Sequence, residues 1–96
     1  MRILYAEDEI KIKMIVEDSL KSERFTVDGC FDGKKALELF LLNEYDLVIL
    51  DLMMPELSGT EVMKKIREKN KEIPILALTA KGDTESIVSN IDQGFD

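Results

Sequence analysis

The sequence predicts an α/β domain, a parallel sheet covered by helices, on three observations. Strand-length apolar runs alternate with amphipathic stretches of helical period along the whole chain. The runs at 2–6 and 46–50 are continuous rather than alternating, the pattern of strands buried on both faces. Both runs also end in acids, Glu7-Asp8 after the first and Asp51 after the second. These acids therefore fall at carboxyl ends of strands, the edge where open α/β sheets place their ligands.

Each element has its own local cause. Residues 2–6 are too few for a helix and rich in strand formers. Ile12, Ile15, Val16, Ser19 and Leu20 recur at helical spacing and predict an inward face, with Lys11, Lys13, Glu17, Asp18 and Lys21 outside. Phe25 to Cys30 is a second strand, weakened by Asp28 and Gly29. Asp32-Gly33 caps a helix burying Ala36, Leu37, Phe40 and Leu41. Asp46 to Leu50 is the third strand, and 51–59 is loop because Pro55 bars a helix through its centre. Ser58-Gly59-Thr60-Glu61 matches a capping box that opens a helix with Val62, Met63 and Ile66 inward. Ile73 to Leu78 is a strand entered through Pro74, and 79–84 is loop. Asp83 or Thr84 then caps a last helix burying Ile87, Val88 and Ile91, which Gly94 stops. The sum is (βα)4 with right-handed crossovers. Of the doubly wound orders, the flavodoxin-like one, 2-1-3-4, sets the first and third strands side by side and brings Glu7, Asp8 and Asp51 together.

Composition excludes several classes. Ninety-six residues, 45% hydrophobic and 34% charged, make one small globular domain. A net charge of −7 argues against binding of a phosphate backbone by this segment, and Lys34-Lys35, Lys64-Lys65, Lys69 and Lys71 lie scattered among acids. No apolar stretch approaches the ~20 residues of a bilayer helix, and Met1 runs into a strand without a leader, so the expected location is cytoplasmic, away from membranes. The single cysteine, Cys30, cannot form an internal disulfide and is expected to pack in the core.

Three crowded carboxylates call for a cation. Two unit charges about 4 Å apart repel by roughly 4 kcal/mol at the effective dielectric near a protein surface. With no histidine in the chain and oxygen ligands alone, Mg²⁺ is the expected ion, held by carboxylates and able to keep waters and a phosphate oxygen.

Three segments now carry a resemblance. Ile3-Leu4-Tyr5-Ala6-Glu7-Asp8-Glu9, then Val48-Ile49-Leu50-Asp51-Leu52-Met53-Met54-Pro55-Glu56-Leu57-Ser58-Gly59, then Ile75-Leu76-Ala77-Leu78-Thr79-Ala80 resemble the signatures of the CheY-like receiver domain of two-component response regulators. The resemblance spans residues 1–96 and implies that Asp51 accepts a phosphoryl group from a sensor histidine kinase. It implies Asp8 as a direct Mg²⁺ ligand, Glu7 acting through water, and the backbone carbonyl of Met53 as a further ligand. Thr79 matches the switch hydroxyl that meets the phosphoryl group, and Ala80 the small residue beside it. On this reading the domain is a phosphoacceptor rather than an enzyme, and its parent is a DNA-binding transcriptional regulator.

The sequence departs from the family at its end. Receivers continue into a fifth strand with an aromatic and a lysine and then a fifth helix, about 20 to 25 residues beyond Asp96. The expectation is an incomplete receiver whose fourth strand is an unprotected apolar edge, whose first helix is partly bare, and which forms a homodimer or strand-swapped oligomer. Slow phosphorylation without the lysine follows, and an assembly or folding module with impaired phosphorylation remains the alternative reading. A flavin site fits poorly, because Glu7-Asp8-Glu9 would repel a phosphate. So does an aspartyl phosphatase, because the second acid it needs two residues after Asp51 is Met53.

Overall fold

The structure is a computed structural model and describes residues 1–78 and Asp96. Its elements are β1 (Arg2–Ala6), α1 (Ile10–Ser22), β2 (Thr26–Cys30), α2 (Gly33–Leu42), β3 (Leu47–Asp51), α3 (Gly59–Lys69) and β4 (Ile75–Leu78). The expected loop 79–84, with Thr79 and Ala80, and the expected helix to Gly94 lie outside the described residues. All four strands are parallel in the order β2-β1-β3-β4, as the sequence predicts.

The sheet divides the core. On one face Leu4, Ala6, Val48, Leu50 and Ile75 pack against Ala36 of α2 and Val62, Met63 and Ile66 of α3. On the other, Ile3, Tyr5 and Ile49 pack against Val16 and Leu20 of α1. Each large side chain withdrawn from water here stabilises the fold by about 1.5–3 kcal/mol, so the continuous runs of β1 and β3 fix the centre of the sheet. At its amino edge, Arg2 donates to Asp28 at 3.0 and 2.7 Å and Tyr45 Oη donates to the same carboxylate at 2.8 Å, which locks the β1–β2 register.

Helix starts follow their caps. Asp32 accepts from the Lys35 N–H at 2.7 Å, and the Ser58–Glu61 capping box closes in both directions. In α2, Leu39 joins the core while Leu41, expected inside, is 55% exposed. The inward face of α1 differs more. It runs through Lys13, Val16, Glu17 and Leu20, and Ile15, expected inside, is 67% exposed. The helix is turned because Gly29 of β2 has no side chain, and the polar ends of Lys13 and Glu17 fill that space.

Three strand limits also differ from expectation. β2 starts at Thr26, because Phe25 belongs to the end of α1. β3 includes Asp51, whose neighbour Leu52 donates to the Leu78 carbonyl at 3.2 Å. β4 starts at Ile75, since Ile73 sits in a turn where Asn70 Oδ1 accepts from the Glu72 and Ile73 amides. Nor is the β4 edge bare at Ile75: its N–H donates to Asp96 Oδ2 at 2.7 Å and its carbonyl accepts from the Asp96 N–H at 2.8 Å. Met14 beside Ile15 on α1 is exposed as well.

The end of α1 is a Schellman motif. Phe25 N–H donates to Leu20 O and Arg24 N–H to Lys21 O, and both apolar partners, Phe25 and Leu20, pack on the sheet. The motif needs a left-handed residue, and Arg24 fills it at φ 69°. A β-carbon in that region costs about 1 kcal/mol. Arg24→Gly is therefore expected to raise the unfolding free energy by about 1 kcal/mol in urea titration; a loss of stability of that size would show that the Arg24 side chain outweighs its backbone strain.

Candidate metal centre

The site is built by adjacent strand ends. Ala6 of β1 pairs with Leu50 of β3, so the next residues, Glu7 and Asp51, emerge side by side at the carboxyl edge. Glu7 is 4% exposed and Asp51 8%, whereas Asp8 lies open to solvent. Glu7, Asp8 and Asp51 each present an oxygen, and the three oxygens lie within 4.8 Å of one another. The convergence expected from the sequence is present.

Backbone groups hold this cluster. Glu7 N–H donates to the Cys30 carbonyl at 3.1 Å, which anchors the end of β1 to β2. Glu7 Oε2 accepts from the N–H of Glu9, the N-cap residue of α1, at 3.3 Å. Asp51 Oδ1 accepts from the Met53 N–H at 3.1 Å, which orients the carboxylate and places the Met53 backbone beside it. The Met53 side chain is 64% exposed while Met54 is buried in the core, so neither sulfur joins the site.

Two glycines that sequence reasoning did not single out complete the frame. A β-carbon on Gly59 would collide with the Asp51 carbonyl oxygen, so only glycine lets the start of α3 close on Asp51. Gly33 likewise has no space for a β-carbon, which would meet the Leu57 carbonyl and lie 2.8 Å from Val62. The signal was available, since each glycine sits at the first position of a capped helix.

Electrostatics supports a cation. Burial pushes the Glu7 carboxyl up from 4.5 to about 7, aided by hydrogen bonding and charge repulsion from Asp51 and opposed by the Glu9 N–H. A proton thus takes the place that a cation would fill. The donors are hard oxygens, two of them buried, a set that fits Mg²⁺.

The folded protein holds the Glu7 proton more tightly than the unfolded chain does. Without metal, this residue's contribution to stability therefore falls as pH rises from about 4.5 to about 7. A Mg²⁺ ion bound here would have to displace that proton, so its affinity is expected to rise with pH across the same window and level off above about 7. Titration calorimetry at several pH values reads this, and a Glu7→Gln variant should lose most of the dependence. A pH-independent affinity in the unaltered protein would contradict a protonated Glu7.

Comparison with known proteins agrees with the geometry. The family model described as "Response regulator receiver domain" matches residues 3–96. This chain belongs to the response regulator receiver family.

Among curated proteins, the receiver is 44% identical over 96 residues to the transcriptional regulatory protein DltR of Streptococcus agalactiae, covering 100% of this chain and 43% of that one. It is 43% identical over 95 residues to the response regulator ArlR of Staphylococcus saprophyticus, covering 99% and 43%. The chain thus spans 43% of the length of these relatives. Among solved structures, a Francisella response regulator receiver domain superposes with a TM-score of 0.91 at 33% identity, covering 99% of this chain and 78% of that one. The response regulator TrrA of Thermotoga maritima, solved in complex with Mg²⁺ and BeF, superposes at 0.86 with 40% identity, covering 94% and 78%.

Proposed function

We propose that this receiver accepts a phosphoryl group onto Asp51 from the phosphohistidine of a sensor kinase. The observation that supports it is the convergence of Glu7, Asp8 and Asp51 at the carboxyl ends of adjacent parallel strands.

The chain's own groups account for much of the step. The Met53 N–H holds Asp51 Oδ1, which leaves Oδ2 as the attacking oxygen. As the bond from Oδ2 to phosphorus forms, the phosphorus–nitrogen bond of the donor breaks, and its electron pair returns to the imidazole. No proton has to leave the aspartate, so a chain without histidine can perform the transfer. Asp8 and Asp51 would hold Mg²⁺ directly, Glu7 through water, and the Met53 carbonyl would complete the protein ligands. When bound there, the ion would supply neutralisation of the charge that gathers on the phosphoryl oxygens and help align donor and acceptor. The partial burial of Asp51 limits access of water to the acyl phosphate.

Phosphorylation adds charge and three strong acceptor oxygens at the sheet edge. The Thr79 hydroxyl meets that group, Ala80 leaves it room, and the surface they move carries the signal to an output. The likeness to DltR, a transcriptional regulatory protein, supports a parent that controls transcription from the cytoplasm through a separate DNA-binding part. The charge of −7 supports nucleic-acid contact by that part rather than by the receiver.

Acetyl phosphate with Mg²⁺ tests the reading. Intact-mass analysis is expected to show one phosphoryl group on the unaltered chain and none on Asp51→Asn or after chelation of the metal. Equal labelling of Asp51→Asn would place the acceptor elsewhere. For the switch, Thr79→Ala is expected to be labelled at a similar rate yet lose the phosphorylation-dependent changes in amide NMR shifts outside the site. A full shift response in that variant would remove Thr79 from the account.

A further inference from the structure

Tyr5 is fully buried on the α1 face of the sheet, and its hydroxyl meets no hydrogen-bond partner among the described residues. Leaving such a group idle destabilises the fold, while a phenylalanine would fill the same core without that loss. The surroundings explain the hydroxyl. Tyr5 pairs in register with Gly29, and the space above Gly29 holds the charged ends of Lys13 and Glu17. These side chains are only 11% and 16% exposed, and the Lys13 ammonium lies 4.4 Å from the centre of the Phe31 ring. Glu17 Oε1 is itself buried and meets the Lys13 ammonium alone among the described groups. Two buried oxygens, one donor and one acceptor, therefore lie on neighbouring positions of one face.

We propose that Tyr5 Oη donates through one buried water to Glu17 Oε1, and that this bridge, with the Lys13–Glu17 pair seated over Gly29, fixes the rotation of α1 on the sheet. The rotation matters to the metal centre, because the N-cap residue of α1, Glu9, is the one whose N–H holds Glu7 Oε2. Tyr5 and Glu17 are then positioning residues for Glu7, acting through the start of the helix. The bridge also explains why α1 turns charged residues toward the sheet and leaves Ile15 outside. Its link to the site rests on the Mg²⁺ reading given above.

The test uses Tyr5→Phe and the gentler Glu17→Gln in the full chain, each read three ways. Both variants are expected to lower the folding equilibrium constant, Tyr5→Phe by about fivefold. Both should speed hydrogen exchange at the Glu9 amide and weaken Mg²⁺ binding several-fold. A Tyr5→Phe chain as stable as the original, or more so, would show an idle hydroxyl and overturn the proposal. Lower stability with unchanged Glu9 exchange and Mg²⁺ affinity would reduce the bridge to a purely structural bond and overturn the positioning role. If the unaltered chain itself fails to bind Mg²⁺, the metal reading falls while Glu9 exchange still judges the bridge.

Discussion

The pairing of β1 with β3 is the constraint on which the rest of the molecule depends. It places two buried carboxylates side by side at one sheet edge, an arrangement that is repulsive in itself. The apolar packing of both strands pays that cost, since Leu4, Ala6, Val48 and Leu50 share one core with α2 and α3. The repulsion is thus held in place by burial elsewhere, and a proton or a divalent ion relieves it. The proposed function follows from the same tension: the site favours a cation, and a bound cation would favour an incoming phosphoryl group.

The frame around the site is made chiefly of backbone. Cys30 O, the Glu9 and Met53 amides and the close approach of Gly59 hold Glu7 and Asp51 in place. Such a frame tolerates wide variation in sequence. That is consistent with high structural similarity to receivers only 33% identical.

Much of this was legible in the sequence, for physical reasons that differ by element. Continuous apolar runs announced β1 and β3, because a strand covered on both faces has little alternative composition. The capping box and the inward face of α3 were equally plain. The rotation of α1 was not, because periodicity counts Lys13 and Glu17 as solvent-facing and cannot see a glycine on another strand making room for them. The placement of Asp51 within β3 likewise turned on pairing between distant segments, with Leu52 N–H on the Leu78 carbonyl, whereas that of Phe25 turned on the local bond of its N–H to Leu20 O. The three acids could be read as a group only because their strands are neighbours, a fact of topology rather than of local pattern.

The most direct measurement is paramagnetic broadening by Mn²⁺, a substitute for Mg²⁺ with similar oxygen preference. Amide signals of Glu7, Asp8, Leu52 and Met53 should broaden first and together at low Mn²⁺, and Mg²⁺ should reverse the effect. In Asp51→Asn the same signals should broaden only at higher Mn²⁺. Broadening centred on another surface, or unchanged by Asp51→Asn, would contradict a shared ion between the ends of β1 and β3.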